Sequence, residues 1–197
     1  MSLDQRYLSI LTTALTEKRP IFLAGTGLSV TFETRVISLL PDGISLLNTV
    51  PFTMIQRFKQ SDSFSLQVGM TRFQSIKLRT DGEHLILVLS AESAIEETRQ
   101  HERFTFQPTE EVTVEIINPF DQETTIIRPV MDMSKNGMSF RTHQASELFK
   151  RGRYLPQITV KTGNNTYRTS KGSVVYSREV IDIRGHRRIQ VGIKFED

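Results

Sequence analysis

Two short groups of residues, separated by positions 104–131, combine side chains that can grip charge and read hydrogen-bond donors. The first is Arg99-Gln-His-Glu-Arg103 and the second is Asp132-Met-Ser134-Lys-Asn136-Gly137. Arginine presents a planar fork of N–H donors that pairs bidentately with phosphate oxygens, and equally with the O6 and N7 acceptors of guanine. A carboxylate such as Asp132 accepts N–H donors of the kind guanine carries on its Watson–Crick edge, and a small hydroxyl such as Ser134 donates or accepts. Gly137 lacks a Cβ, so its backbone can turn sharply or approach a ligand closely. In an extended segment residues i and i+4 point the same way, which lets Arg99 and Arg103 face one ligand together. The chemistry open to these groups is recognition of an anion that also carries hydrogen-bond donors.

Such groups need elements to position them. Leu3, Tyr7, Ile10, Leu11 and Ala14 recur at helical spacing, predicting an amphipathic helix over 3–17 that ends before Pro20. The period then changes to two. Strands are predicted at 21–24, 30–37, 43–47, 64–68, 73–78 and 85–89, separated by turn clusters such as Gly25-Thr-Gly27, Pro41-Asp-Gly43 and Asp81-Gly82. Residues 90–98 break the apolar rhythm with a small, acidic stretch. Further strands are predicted at 103–107, 112–118, 124–130, 137–142, 155–162, 166–178 and 187–195, with one helical turn within 145–150. Asp132 to Gly137 thus falls between two strand-like runs. The pattern predicts a mainly β chain of two tandem small β-barrel or split-barrel domains with a short N-terminal helix. The domains are 1–92 and 104–197, and the linker 93–103 carries both arginines.

Composition narrows the classes. There is no Cys, which excludes disulfides and cysteine-based metal sites. No apolar run reaches the ~18 residues of a membrane helix, and residues 1–10 lack the basic start and apolar core of a secretory signal, so a cytoplasmic protein without membrane insertion is expected. Basic charge is carried by 17 Arg against 8 Lys, with a net charge of +3. That excess suits an anionic ligand or an acidic partner.

RxxxR followed by [D/N]xSxxG, in that order on a strand-rich background, resembles the signature of the PilZ family of cyclic di-GMP receptors. Val191-Gly-Ile-Lys-Phe195 is similar to the closing strand of that family, so the resemblance spans about 98–195. It implies that the second domain is a PilZ-type antiparallel barrel. It also implies that Arg99 and Arg103 grip phosphate and guanine while Asp132 and Ser134 read the base, with Thr98, Asn136 and Gly137 completing the ligand-binding set. Thr98 is uncharged where a further arginine would favour a stacked pair of ligands, and so leans towards one ligand per site. The layout is similar to the YcgR type, in which an N-terminal β-domain precedes the barrel, although the chain stops two residues after Phe195 without the C-terminal helix of many PilZ proteins.

The resemblance implies a receptor and not an enzyme. Cyclic di-GMP would be its regulatory ligand, with no catalytic cofactor and no metal. Binding would change the arrangement of the two domains and regulate a protein target, the flagellar motor being the one that the YcgR type suggests, with recruitment to the flagellar basal body as a motility brake.

Other readings stand beside this one. Arg99 and Arg103 can be a solvated basic linker, and Asp132 to Gly137 a plain β-turn of ordinary turn formers. An Arg-rich β-barrel can bind single-stranded nucleic acid, but such modules use aromatic platforms, and this chain has no Trp and only 4 Tyr, so no nucleic-acid partner is expected. A PilZ fold can also serve as an interaction module without nucleotide. A second RxxxR, at Arg184 and Arg188, reads as charge on a late hairpin. His84, His101, His143 and His186 are isolated from one another, and no nucleophile–base arrangement is evident.

Overall fold

The computed structural model describes residues 5–69, 71–75, 77–89, 93–95, 103–106, 109–143 and 146–196. Its residues gather into two compact units: 1–100 with 180–187, and 101–179 with 188–197. Among the described residues no helix is long and apolar enough to cross a membrane.

The first unit begins with helix α1 (Gln5–Thr16), which buries Leu11 and Ala14. Strands β1 (Ile21–Gly25), β2 (Val30–Thr34), β5 (Phe64–Val68), β6 (Thr71–Ser75) and β9 (Ala94–Ile95) form one antiparallel sheet in the order β2-β1-β5-β6-β9. Strands β3 (Val36–Leu40), β4 (Gly43–Leu47), β7 (Leu78–Thr80) and β8 (His84–Val88) form a second, in the order β3-β4-β8-β7. Every other side chain of β1 and β5 is buried, as expected where one sheet face meets a core.

Several features of this unit depart from the sequence reading, among them the run 73–78, read as one strand, whose ends belong to β6 in one sheet and β7 in the other. The run 30–37, read as one strand, breaks at Arg35, so that β2 joins one sheet and β3 the other. Residues 52–59, read as no element, form helix α2 (Phe52–Lys59), which buries Ile55 and Phe58. Phe58 packs edge-on against Phe32 with ring centroids 5.2 Å apart, so the contact that holds this short helix is tertiary. Residues 94–95, assigned to the linker, pair with Arg72 and Phe73 of β6.

The second unit holds six long strands: β11 (Val112–Ile117), β12 (Thr125–Ser134), β13 (Gly137–Thr142), β14 (Tyr154–Thr162), β15 (Asn165–Ile181) and β16 (Arg187–Glu196). They run in the order β14-β11-β12-β13-β16-β15, and β14 pairs again with β15, which closes a six-stranded antiparallel barrel. Closure removes exposed sheet edges. The barrel interior is filled by alternate residues such as Val114, Ile116, Met138, Phe140, Ile158, Val191 and Ile193. The helical turn read within 145–150 is a 3-10 turn (Glu147–Phe149) whose Phe149 packs against Phe140. Residues 180–187, placed by the sequence in the second domain, cluster with the first unit, and Ile181 lies in that unit's core. A short strand, β10 (Phe104–Thr105), adds to β12 of the barrel.

Candidate ligand-binding site

The site is built around an irregularity in β12. Val130 opposes Phe140, but Asp132 opposes Ser139, so Met131 is an extra residue, a β-bulge. In a regular strand Asp132 would share a face with Val130, which lies in the barrel core. The bulge reverses that parity: Val130 and Met133 both enter the core, and Asp132 lies on the other face. Bulges commonly re-aim a side chain in this way beside functional sites.

Strand β10 then delivers Arg103 of the first group. Phe104 pairs with Met133 and Thr105 with Asp132, which brings Arg103 alongside the end of β12. Its guanidinium Nη1 donates to Asp132 Oδ1, an ion pair with 21 % and 19 % of the two side chains exposed. Arg103 and Asp132, read from separate motifs, are therefore direct neighbours. Thr98 and Arg99 lie outside the described residues, as does His101.

The rest of the second group is a hairpin rather than a segment between strands. Asp132 and Ser134 belong to β12, Lys135 and Asn136 make a two-residue turn, and Gly137 opens β13. Ser134 Oγ donates to the Gly137 carbonyl at 3.3 Å, and the Asn136 carbonyl accepts from the Phe195 amide at 2.9 Å. Gly137 has a structural duty. A Cβ there would lie 2.2 Å from the Ile193 carbonyl oxygen, so only glycine lets β13 and β16 approach at this point.

Several residues around Asp132 have no counterpart in the sequence reading. Ser139 Oγ donates to Asp132 Oδ2 at 2.5 Å, Gln190 Nε2 donates to Ser139 Oγ at 3.2 Å, and Arg178 donates from Nε and Nη2 to Gln190 Oε1 at 3.2 and 2.9 Å. Ser139 and Gln190 are buried. Burial is the largest influence on Arg178 and pulls its pKa below the usual range; Tyr176 and Asp132 act in the opposite sense, while Arg141 and Arg103 add to the lowering. Arginine remains charged even so. Arg103, Arg141 and Asp132 thus all lie within electrostatic reach of Arg178, an arginine-rich neighbourhood suited to an anion. Tyr176 sits beside Arg178, with the guanidinium 5.3 Å from the ring centroid. The ring occupies the space a side chain at Gly192 would fill, 2.1 Å from that position. The one sequence clue was polarity: Ser139 and Gln190 each stand between two apolar residues. Their meeting, 51 positions apart, follows only from the β13–β16 pairing.

Among the described residues no cluster of His, Asp and Glu could hold a metal ion. A concavity of about 340 Å³ is lined by Glu110, Glu111, Thr113 and Asn164, among others, and its carboxylates have the wrong sign for phosphate.

The barrel, the bulge and the Arg103–Asp132 pair can be set beside known proteins. No family model and no curated protein matches the sequence. Solved structures do match. The K. pneumonia MrkH–c-di-GMP complex aligns with a TM-score of 0.69 at 10 % identity, covering 97 % of this chain and 85 % of that one. YcgR from Escherichia coli in complex with c-di-GMP aligns at 0.56 and 13 %, covering 96 % and 81 %. The chain has the PilZ-type fold. A further MrkH structure, described as a c-di-GMP-dependent transcription regulatory factor, aligns at 0.58 and 12 %, covering 97 % and 82 %. At such identities the likeness is one of fold. Within the PilZ-type fold, Arg103 of the first motif meets Asp132 of the second at the β10–β12 pairing.

Proposed function

We propose that this chain is a receptor for cyclic di-GMP whose output is made by contact with a partner rather than by catalysis. The observation that carries this is the Arg103–Asp132 pair, a guanidinium set beside a carboxylate that a bulged strand carries. Guanine offers acceptors on one edge and donors on another, and this pair is complementary to both. Burial of most of both side chains strengthens each hydrogen bond relative to open water. Because the two groups already hold each other in the free protein, the cost of ordering them falls on folding rather than on binding. The resemblance of the motifs and the ligands bound by MrkH and YcgR point the same way.

In this reading Arg99 joins Arg103 on phosphate and guanine, Ser134 supports the base-reading edge, and Thr98 and Asn136 flank the ligand. The arginine pair falls where the chain passes from one unit to the other, between residues 100 and 101. A ligand holding both arginines would act on that connection and change the arrangement of the two units. The partner would be a protein in the cytoplasm, with the flagellar motor as the target suggested by the YcgR type. A transcriptional output is the second reading, favoured by the description of MrkH.

Calorimetric titration of the full chain with cyclic di-GMP, with GTP as control, tests the receptor. Saturable binding is expected, and Arg103→Ala and Asp132→Ala should each weaken it at least 10- to 100-fold, the value of hydrogen bonds to charged groups. No binding by the wild type would overturn it. Salt-dependent binding of duplex DNA only when the ligand is present would select the transcriptional output.

A further inference from the structure

The polar side chains behind Asp132 form a directed chain of hydrogen bonds. Arg178 can only donate, so Gln190 must present its carbonyl oxygen to it, and the same amide must then turn its NH2 group towards Ser139. With one lone pair of Ser139 Oγ occupied by that donor, its hydroxyl proton is free to point at Asp132 Oδ2. The sense of every step is therefore set by the one residue that cannot accept. Ser139 and Gln190 have 0 % and 2 % of their surface exposed, so water does not compete for these bonds. Their alternation fits this role: Met138 and Phe140 enter the barrel core, as do Val191 and Ile193, while Ser139 and Gln190 occupy the opposite face. Asp132 is thus held at both oxygens, by Arg103 at Oδ1 and by Ser139 at Oδ2.

We propose that Arg178, Gln190 and Ser139 are positioning residues that fix the orientation of the Asp132 carboxylate and so set the preference of the site for guanine over other purines. This rests on the receptor reading above. A carboxylate turned by a fixed donor presents its acceptor lone pairs in one direction, and guanine offers two adjacent donors, N1–H and the exocyclic amine, to meet them. Hypoxanthine keeps N1–H and lacks the amine. A carboxylate free to rotate loses the bidentate geometry that tells the two apart, while its charge still attracts either ligand. A site built to satisfy a substrate donor discriminates strongly against an analogue that lacks it.

The test compares cyclic di-GMP with its bis-hypoxanthine analogue, cyclic di-IMP, by calorimetry on the full chain. The wild type is expected to prefer cyclic di-GMP. Ser139→Ala should lower affinity for cyclic di-GMP about ten-fold and leave that for cyclic di-IMP within about two-fold, collapsing the preference, since one hydrogen bond to a charged group is removed. Ser139→Thr, which keeps the hydroxyl, should retain the preference. Thermal unfolding of each variant shows that it folds.

Equal weakening of both ligands, or an unchanged preference in Ser139→Ala, would overturn the positioning role while leaving the receptor intact. Failure of the wild type to bind cyclic di-GMP would overturn the receptor. In that case the hydrogen-bond chain is read without ligand: the Arg178 Nε–H and Gln190 amide resonances should show slowed exchange, and exchange as fast as for exposed side chains would overturn it too.

Discussion

At the scale of single residues the site depends on a few positions whose identity is dictated by geometry. Asp132 must be acidic to answer Arg103 and Ser139 at once. Gly137 must lack a Cβ because the Ile193 carbonyl oxygen would lie 2.2 Å from it. The sequence marked Gly137 as a glycine for a sharp turn or a close approach to the ligand, and the neighbouring strand supplies a reason of its own. Gly137→Ala should therefore destabilise the free protein, by about 1–3 kcal/mol as for other overpacking changes. Urea unfolding in the absence of nucleotide measures this. Stability equal to wild type, with only ligand affinity reduced, would return the glycine to a purely ligand-facing role. Residue type and spacing marked Arg103 and Asp132 as candidates, and the structure makes them neighbours. Ser139, Gln190 and Arg178 were not marked, because a polar residue within an apolar run does not say which distant residue it meets until strand pairing brings them together.

At the scale of elements, most long strands were legible because alternation of apolar and polar residues is the signature of a half-buried sheet. The elements that escaped were short. Helix α2 spans 8 residues, β7 spans 3 and β9 spans 2, too few to establish a period. The loop between β11 and β12 shows local chemistry holding a hairpin. Asp121 accepts from the Thr124 hydroxyl at 2.6 Å, the Thr124 amide at 2.9 Å and the Glu123 amide at 3.0 Å, and these bonds, the Thr124 hydroxyl first, lower its pKa. A carboxyl with a lowered folded-state pKa binds its proton more readily in the unfolded chain. Its contribution to stability is thus present above the unfolded value and lost as pH falls through the folded one. The melting temperature, followed from pH 5 downwards, should fall less steeply in Asp121→Asn than in wild type. Parallel curves would show that this carboxylate is not coupled to folding.

At the scale of the whole molecule the chain does not divide into consecutive halves. The β15–β16 hairpin leaves the barrel at residue 180 and returns at 188, and its tip counts with the first unit. Ile181 is 1 % exposed and lies in the core that holds Phe32, Phe58 and Leu66. Ile181→Ala should cost about 2–5 kcal/mol, typical of a buried large-to-small change. Hydrogen exchange should show the loss in amides of β1 and β2 as well as at the hairpin tip. Protection lost only around β16 would show that the tip contributes nothing to the first unit's stability. Sequence alone placed a boundary by composition, at the acidic stretch 90–98, and composition cannot reveal that a later hairpin completes an earlier core.

By itself the sequence determined the mainly β character and the N-terminal helix, and it marked Arg103 and Asp132 as candidate site residues, because periodicity and residue chemistry are local properties of the chain. Tertiary structure decided where those groups point. One inserted residue, Met131, reverses the parity of β12 and turns Asp132 away from the core. The β10–β12 pairing sets Arg103 against it, and the β13–β16 pairing sets Ser139 and Gln190 behind it. Each of these depends on register between distant strands, and register is settled by how the barrel closes and fills its interior.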